Sequence, residues 1–288
     1  MNYIVIKPRK KQQIMIKLFS ANDKEIKLTQ SHFPDHTQIL RVNTDAKFYD
    51  PLNIEWTYEH ESELVTLIYL THYLQENTHA KLILTMPYLP NARMDRVNNN
   101  DEVFTLKYFA EIINSLHFDE VSVLDLHSNV SRALINHLKE IDVAKYIQKA
   151  IDDYKPDILF MPDAGAHKRY SGMFNSPSTF GIKIRDWRSG EIKDYRLADP
   201  ALVKDKRVLI IDDICSRGGT FYHAGQLLNK MGARDIGLYI SHCEETIKDG
   251  NVLDPTKSYI SQVYTADPLW RNLADAHVLA KSIKVIKA

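Results

Sequence analysis

Short apolar runs that alternate with helix-spaced segments constrain this chain more than any other feature. The runs are "KLILTMPYL" from Lys81, "VSVLDLH" from Val121, "DILFMPDAG" from Asp157, "STFGIKI" from Ser178, "RVLIIDD" from Arg207 and "DIGLYIS" from Asp235. Helical spacing separates them, for example near Glu61–Tyr73 and Phe104–Leu116. Strands of this kind are continuous in hydrophobicity because helices cover both faces, so the pattern predicts an α/β chain of mainly parallel sheets flanked by helices. At 288 residues the chain has room for two such units. Charge and a proline in "KAIDDYKPD" place the expected division there, giving units 1–148 and 149–288.

The run "RVLIIDDICSRGGTFYHAG" carries the most chemistry. Val208 to Ile211 form a buried parallel strand, with Asp212 and Asp213 expected at its carboxyl end. Helical spacing from Thr220 to Met231-Gly232 makes Ser216–Thr220 the expected strand-to-helix loop, which is where open α/β sheets bind ligands. Gly218 and Gly219 let the backbone approach an anion, Ser216 and Thr220 offer hydroxyls, and a helix start offers free N–H groups. That is a phosphate cradle. Two acids beside it suit ribose hydroxyls or a hydrated cation, so a phosphorylated sugar is expected; the plain alternative is an Asp/Gly turn after a core strand.

Lysine plus arginine equals aspartate plus glutamate at 37 each, so no overall field favours nucleic acid or an anionic membrane. Two cysteines, Cys215 and Cys243, are too few for a disulfide framework or a zinc site and fit a reducing cytoplasm. No bilayer-spanning stretch or signal peptide is apparent.

The chain resembles the ribose-phosphate pyrophosphokinases (phosphoribosyl pyrophosphate synthetases), a branch of the type I phosphoribosyltransferase fold. "LIIDDICSRGGT" resembles their phosphoribosyl pyrophosphate loop, and "KLFSAN", "HFPDHT", "MPYLPNARMDR", "VLDLHS", "MPDAGAHKR" and "KIR" follow the family's order. The resemblance implies two tandem phosphoribosyltransferase-like domains, a cytoplasmic homo-oligomer, and transfer of the β,γ-diphosphate of Mg-ATP to the anomeric hydroxyl of ribose 5-phosphate, with AMP leaving. By the same resemblance, Phe33 and Asp35 hold adenine, and Arg93, Asp95 and Arg96 hold the triphosphate, a task for which bidentate guanidinium groups are suited. A turn around a core phenylalanine and a surface ion cluster are the respective alternatives. His127 and Asp163 become magnesium-site residues, with Mg2+ the implied cofactor. Lys183 and Arg185 neutralise the transferred diphosphate, Asp212 and Asp213 act on the ribose side, and Ser216, Arg217, Gly218, Gly219 and Thr220 hold the 5′-phosphate.

Two departures stand out. Thr37 replaces the family's usual glutamate, and Ser216-Arg217 stands where the synthetases carry Asp-Thr. An added guanidinium can grip one phosphate harder or reach a second one, so an ADP-ribose-like acceptor, feeding NAD metabolism, competes with ribose 5-phosphate. A silent synthetase-associated regulatory subunit and a nucleobase phosphoribosyltransferase are the remaining alternatives. Intact Lys183, Arg185, Asp212 and Asp213 speak against the first, and "ARMDR" and "HFPD" against the second.

Overall fold

The structure is a computed structural model and describes residues 15–43, 48–185, 192–268 and 283–286. Two compact units emerge, the first holding residues up to Val123 and Ser128–Lys139, the second Leu124–His127 and everything from Glu140.

In the first unit, β1 (Ile16–Phe19), β2 (Glu25–Ile26), β3 (Leu28–His32), β4 (Gln38–Val42) and β5 (Leu52–Trp56) precede α1 (Ser62–Asn77). There follow β6 (Leu82–Met86), α2 (Thr105–Ser115), β7 (Glu120–Leu124), α3 (Asn129–Leu134) and β8 (Leu138–Ile141). The sheet order is β2-β1-β5-β6-β7-β8, with β5, β6 and β7 parallel and β1 antiparallel to both its neighbours. Strands β3 and β4 form a separate antiparallel hairpin, Leu28 opposite Val42 and His32 opposite Gln38.

The second unit runs α4 (Ala144–Tyr154), β9 (Ile158–Met161), α5 (Ala164–Tyr170), β10 (Ser178–Arg185), β11 (Ile192–Leu197) and β12 (Arg207–Cys215). It continues with α6 (Gly219–Lys230), β13 (Asp235–Cys243), β14 (Ile260–Pro268) and β15 (Ile283–Val285). Seven strands order as β11-β10-β9-β12-β13-β14-β15, all parallel except the β10/β11 pair. The expected boundary at 148/149 falls inside α4. Ile147, Ala150 and Tyr154 of that helix pack with Leu159, Leu209 and Ile211 of the second sheet, so the apolar face of α4 overrides the charge of Asp152-Asp153 and draws the division back to Glu140.

Period-two alternation along β12 divides its apolar side chains between two cores. Leu209 and Ile211 join the cluster under α4 and α5, while Val208 and Ile210 join the cluster holding Ala224 and Leu228 of α6. Continued through the next two residues, the same alternation sends Asp213 and Asp212 to opposite faces. No helix of the described residues is long and apolar enough to cross a membrane.

Candidate functional site

Asp213 is buried and its charge is met on the α5 side of the sheet. His127 Nδ1 lies 2.6 Å from Asp213 Oδ2, the Arg169 Nη1 donates to the same oxygen at 3.0 Å, and the Ile214 N–H donates to Oδ1 at 2.9 Å. Burial pushes the Asp213 carboxyl up, but the His127 hydrogen bond and the Arg169 guanidinium outweigh it and hold the group well below the usual carboxylate range. The carboxylate therefore takes the Nδ1 proton of His127 as an acceptor. Arg169 also donates from Nη2 to the His127 carbonyl oxygen, so one guanidinium fixes both partners.

Behind this pair lies a buried support. Asp125, at φ 47°, accepts hydrogen bonds at Oδ2 from the Tyr170 hydroxyl at 2.7 Å and from the Ser241 hydroxyl. Its Oδ1 has no hydrogen-bond partner among the described residues and lies 3.9 Å from Arg169 Nη1. Burial, and the nearby Asp213 charge, push the Asp125 carboxyl up. Asp125, Arg169, Tyr170 and Ser241 were not singled out from the sequence. Asp125 and Arg169 stand in "VLDLHS" and "MPDAGAHKR", but only the fold brings strand end, helix and β13 to the same carboxylate.

Asp212 has the opposite environment. Burial, then the like charges of Asp213 and Asp163, push its carboxyl well above the usual range, opposed by the Asp213 N–H donating to Oδ1 at 3.0 Å. Adjacent residues thus have carboxyls driven apart, one held down by the His127 hydrogen bond and the Arg169 guanidinium, the other pushed up by burial and like charge.

Strand β12 runs on through both acids to Cys215, because its ladder with β13 continues to Cys215 opposite Cys243. Asp212 and Asp213 lie inside the strand rather than at its tip. Helix α6 starts at Gly219, so the loop is shorter than expected: Ser216, Arg217 and Gly218 form it, and Gly219 and Thr220 are helical. Gly218 sits at φ 76°, where a side chain is strained, and a Cβ there would overlap Val252 Cγ2. At Gly219 a Cβ would meet only open space, leaving the helix N-terminal amides accessible to an anion. Gly250, in the turn after β13, packs so closely that a Cβ would overlap the Arg217 carbonyl oxygen. Arg217 itself is exposed. The Ser216 hydroxyl is not: it donates to Glu244 Oε2.

Each of the expected magnesium residues has a partner within the protein. His127 Nδ1 is spent on Asp213, and Asp163 caps α5, its Oδ1 accepting from the Ala166 N–H at 3.0 Å. Among the described residues no cluster of three acidic, histidine or cysteine side chains is set to hold a metal. Lys183 and Arg185 lie on the backbone of β10, opposite Tyr195 and Ile192 of β11, but their side chains fall outside the described residues, as does the segment 186–191.

In the first unit, Phe33 to Thr37 turn the β3–β4 hairpin, with the Phe33 N–H donating to the Thr37 carbonyl at 2.9 Å. Phe33 is 55% exposed, which removes the alternative of a core phenylalanine. Asp35 Oδ1 accepts from the Thr37 hydroxyl at 2.7 Å and the Thr37 N–H at 3.0 Å, and the first of these chiefly lowers the Asp35 carboxyl. Thr37 thereby closes the turn that presents Phe33. Arg93 and Arg96 are exposed on the irregular segment after β6, with Arg96 Nε 3.4 Å from Asp95 Oδ1. A cavity beside the hairpin is lined by His32, His36, Thr37, Glu63, Thr66 and Tyr69 among others, and includes none of the five residues expected to bind ATP.

Comparison with known proteins adds a second line. A family profile described as the phosphoribosyl transferase domain matches residues 129–264, a span that includes β12, the loop and α6. A ribose-phosphate pyrophosphokinase of Pyrococcus furiosus is 27% identical over 219 residues, covering 73% of this chain and 75% of its own. The one of Methanothermobacter thermautotrophicus is 24% identical over 259 residues, covering 88% and 89%. A crystal structure of phosphoribosylpyrophosphate synthetase from Mycobacterium smegmatis is similar with a TM-score of 0.74 over 92% of this chain and 87% of that one, at 17% identity, a likeness of fold.

Proposed function

The chain belongs to the ribose-phosphate pyrophosphokinase family, and from that premise we propose that it moves the β,γ-diphosphate of Mg-ATP to the anomeric hydroxyl of a 5-phosphoribosyl acceptor. The anomeric oxygen bonds to the β-phosphorus, the bond from that phosphorus to the oxygen bridging to the α-phosphorus breaks, AMP leaves with that oxygen, and the hydroxyl proton is released to solvent. The observation that carries this reading is the split of Asp212 from Asp213 on a strand that leads directly into a glycine-capped helix start.

In this scheme Asp213, clamped by His127 and Arg169, positions the strand end, and Asp212 is the acid left to accept from ribose hydroxyls or to face a cation. The amides of Gly219 and Thr220, with the Thr220 hydroxyl and Arg217, bind the 5′-phosphate. Phe33 and Asp35 hold adenine, and Arg93, Asp95 and Arg96 the triphosphate. Lys183 and Arg185 meet charge developing on the transferred group.

Mg2+ takes one or two carboxylates and completes its shell with water and substrate phosphates, so the lack of a three-residue cluster does not argue against it. Asp212, crowded by Asp213 and Asp163, is a donor set of that kind. Bound there, the ion would supply charge neutralisation on the phosphates. Asp163 remains a candidate partner, and His127 becomes a positioning residue through Asp213. The free thiols Cys215 and Cys243 fit a reducing compartment.

Incubation with Mg-ATP and ribose 5-phosphate should release AMP in step with acceptor consumed; ADP as the sole nucleotide product would overturn the reading. The exposed guanidinium of Arg217 favours a second reading, the same chemistry on ADP-ribose. Arg217→Thr should then lower kcat/KM for ADP-ribose by roughly ten- to a hundredfold, with ribose 5-phosphate affected much less.

A further inference from the structure

Glu244 is the first residue after β13, and its N–H donates to the Cys215 carbonyl at 2.8 Å, which holds it beside the first residue after β12. Its Oε2 accepts from the Ser216 hydroxyl and from the Thr246 hydroxyl at 3.4 Å. A serine hydroxyl has one proton. While Glu244 holds it, Ser216 turns only lone pairs toward a ligand, and a phosphate has only lone pairs to meet them. The acceptor loop therefore carries two unlike sets of groups. Donors lie along the start of α6 and at Arg217, and acceptors lie at Ser216 and Glu244.

We propose that Glu244 is a specificity-determining residue of the acceptor site, selecting against a terminal phosphomonoester and for a phosphate that continues as a diester into a hydroxyl-bearing group. The proposal rests on the reading of this loop as the acceptor-phosphate site. Near pH 7 a monoester carries about 1.5 to 2 negative charges, so it is the form that a neighbouring carboxylate penalises more. In ADP-ribose the phosphate on the ribose carries one charge, the second charge lies on the next phosphate, within reach of the Arg217 guanidinium in this reading, and sugar hydroxyls beyond can donate to the oxygens that Ser216 and Glu244 present. The simpler alternative is that Glu244 only staples two strand ends. A staple would change stability and both ligand classes alike.

Calorimetric titration of the full chain with ribose 5-phosphate and with ADP-ribose separates these. Glu244→Gln keeps the shape and an oxygen for Ser216 but removes the charge. It should tighten ribose 5-phosphate binding about tenfold while ADP-ribose binding changes less than about twofold. Glu244→Ala should move the ratio in the same direction, and a thermal melt of each variant shows whether it is folded. Equal changes for the two ligands, or weaker ribose 5-phosphate binding by a folded variant, would overturn the assignment. Binding needs no turnover, so failure to release AMP with either acceptor would overturn the diphosphate transfer while the affinity ratio still decides the role of Glu244.

Discussion

At the scale of single residues, the neighbours Asp212 and Asp213 have opposite pH dependences. Asp213 has a lowered folded value, so its stabilisation is fully present above the unfolded carboxylate value near ~3.9 and is lost as pH falls through the lower folded one. Asp212 has a raised folded value, first from burial and then from Asp213, so stability falls as pH climbs from about 4 through that higher value. Asp212→Asn should abolish that fall and raise the melting temperature by about 2–4 °C, while lowering turnover about a hundredfold or more. Urea midpoints of wild type and variant between pH 5 and 8 check this, and parallel curves would refute it. Asp213→Ala removes the buried carboxylate that Arg169 and His127 share and should destabilise by about 3–5 kcal/mol, read from urea denaturation. For Lys183, Ala should reduce kcat by about 10²–10³ with ATP binding largely spared, because its proposed contact strengthens in the transition state. The acids themselves were legible in the sequence. Their division of labour was not, since it depends on Arg169 and His127 arriving from a helix and a strand end distant in the chain.

Among the elements, the 216–218 loop and the β3–β4 hairpin show how local chemistry sets boundaries. The loop was expected to extend to Thr220, but the β12/β13 ladder lengthened the strand and the left-handed Gly218 opened the helix at once. Gly218→Ala meets both an unfavourable φ and Val252, and should cost about 1–3 kcal/mol and weaken acceptor binding without altering ATP binding, as calorimetry would show. In the hairpin, the threonine that departs from the family pattern turns out to cap Asp35. That makes Phe33 a presented ring rather than a core one, and Phe33→Ala should raise KM for ATP while leaving the melting temperature within about 2 °C. The hydrophobic periods revealed the strands and helices named from the sequence, but the hairpin and the short edge strands, such as Glu25–Ile26, have too few residues for a period to register.

Over the whole molecule, the α/β class and four of the seven strands of the second sheet, β9, β10, β12 and β13, follow from alternation, while β11, β14, β15 and the division between units do not. A charged stretch suggested residue 148, yet α4 carries its apolar face into the second core, which also takes in Leu124. A fragment starting at Lys149 should therefore expose Leu209 and Ile211 and fail to melt cooperatively, whereas the full chain melts with that core intact; calorimetric scans of the two would tell. Contacts of long sequence separation leave no mark on local pattern, and the tie between Gly250 and Arg217 is the plainest of them. It has a consequence for heredity. Every single-base change of a glycine codon that encodes a different amino acid adds a Cβ, and a Cβ at Gly250 collides with the backbone of the 216–218 loop. Lineages of this protein can drift at the Arg217 side chain, altering what the loop grips, but any that drift at Gly250 must first rebuild the loop.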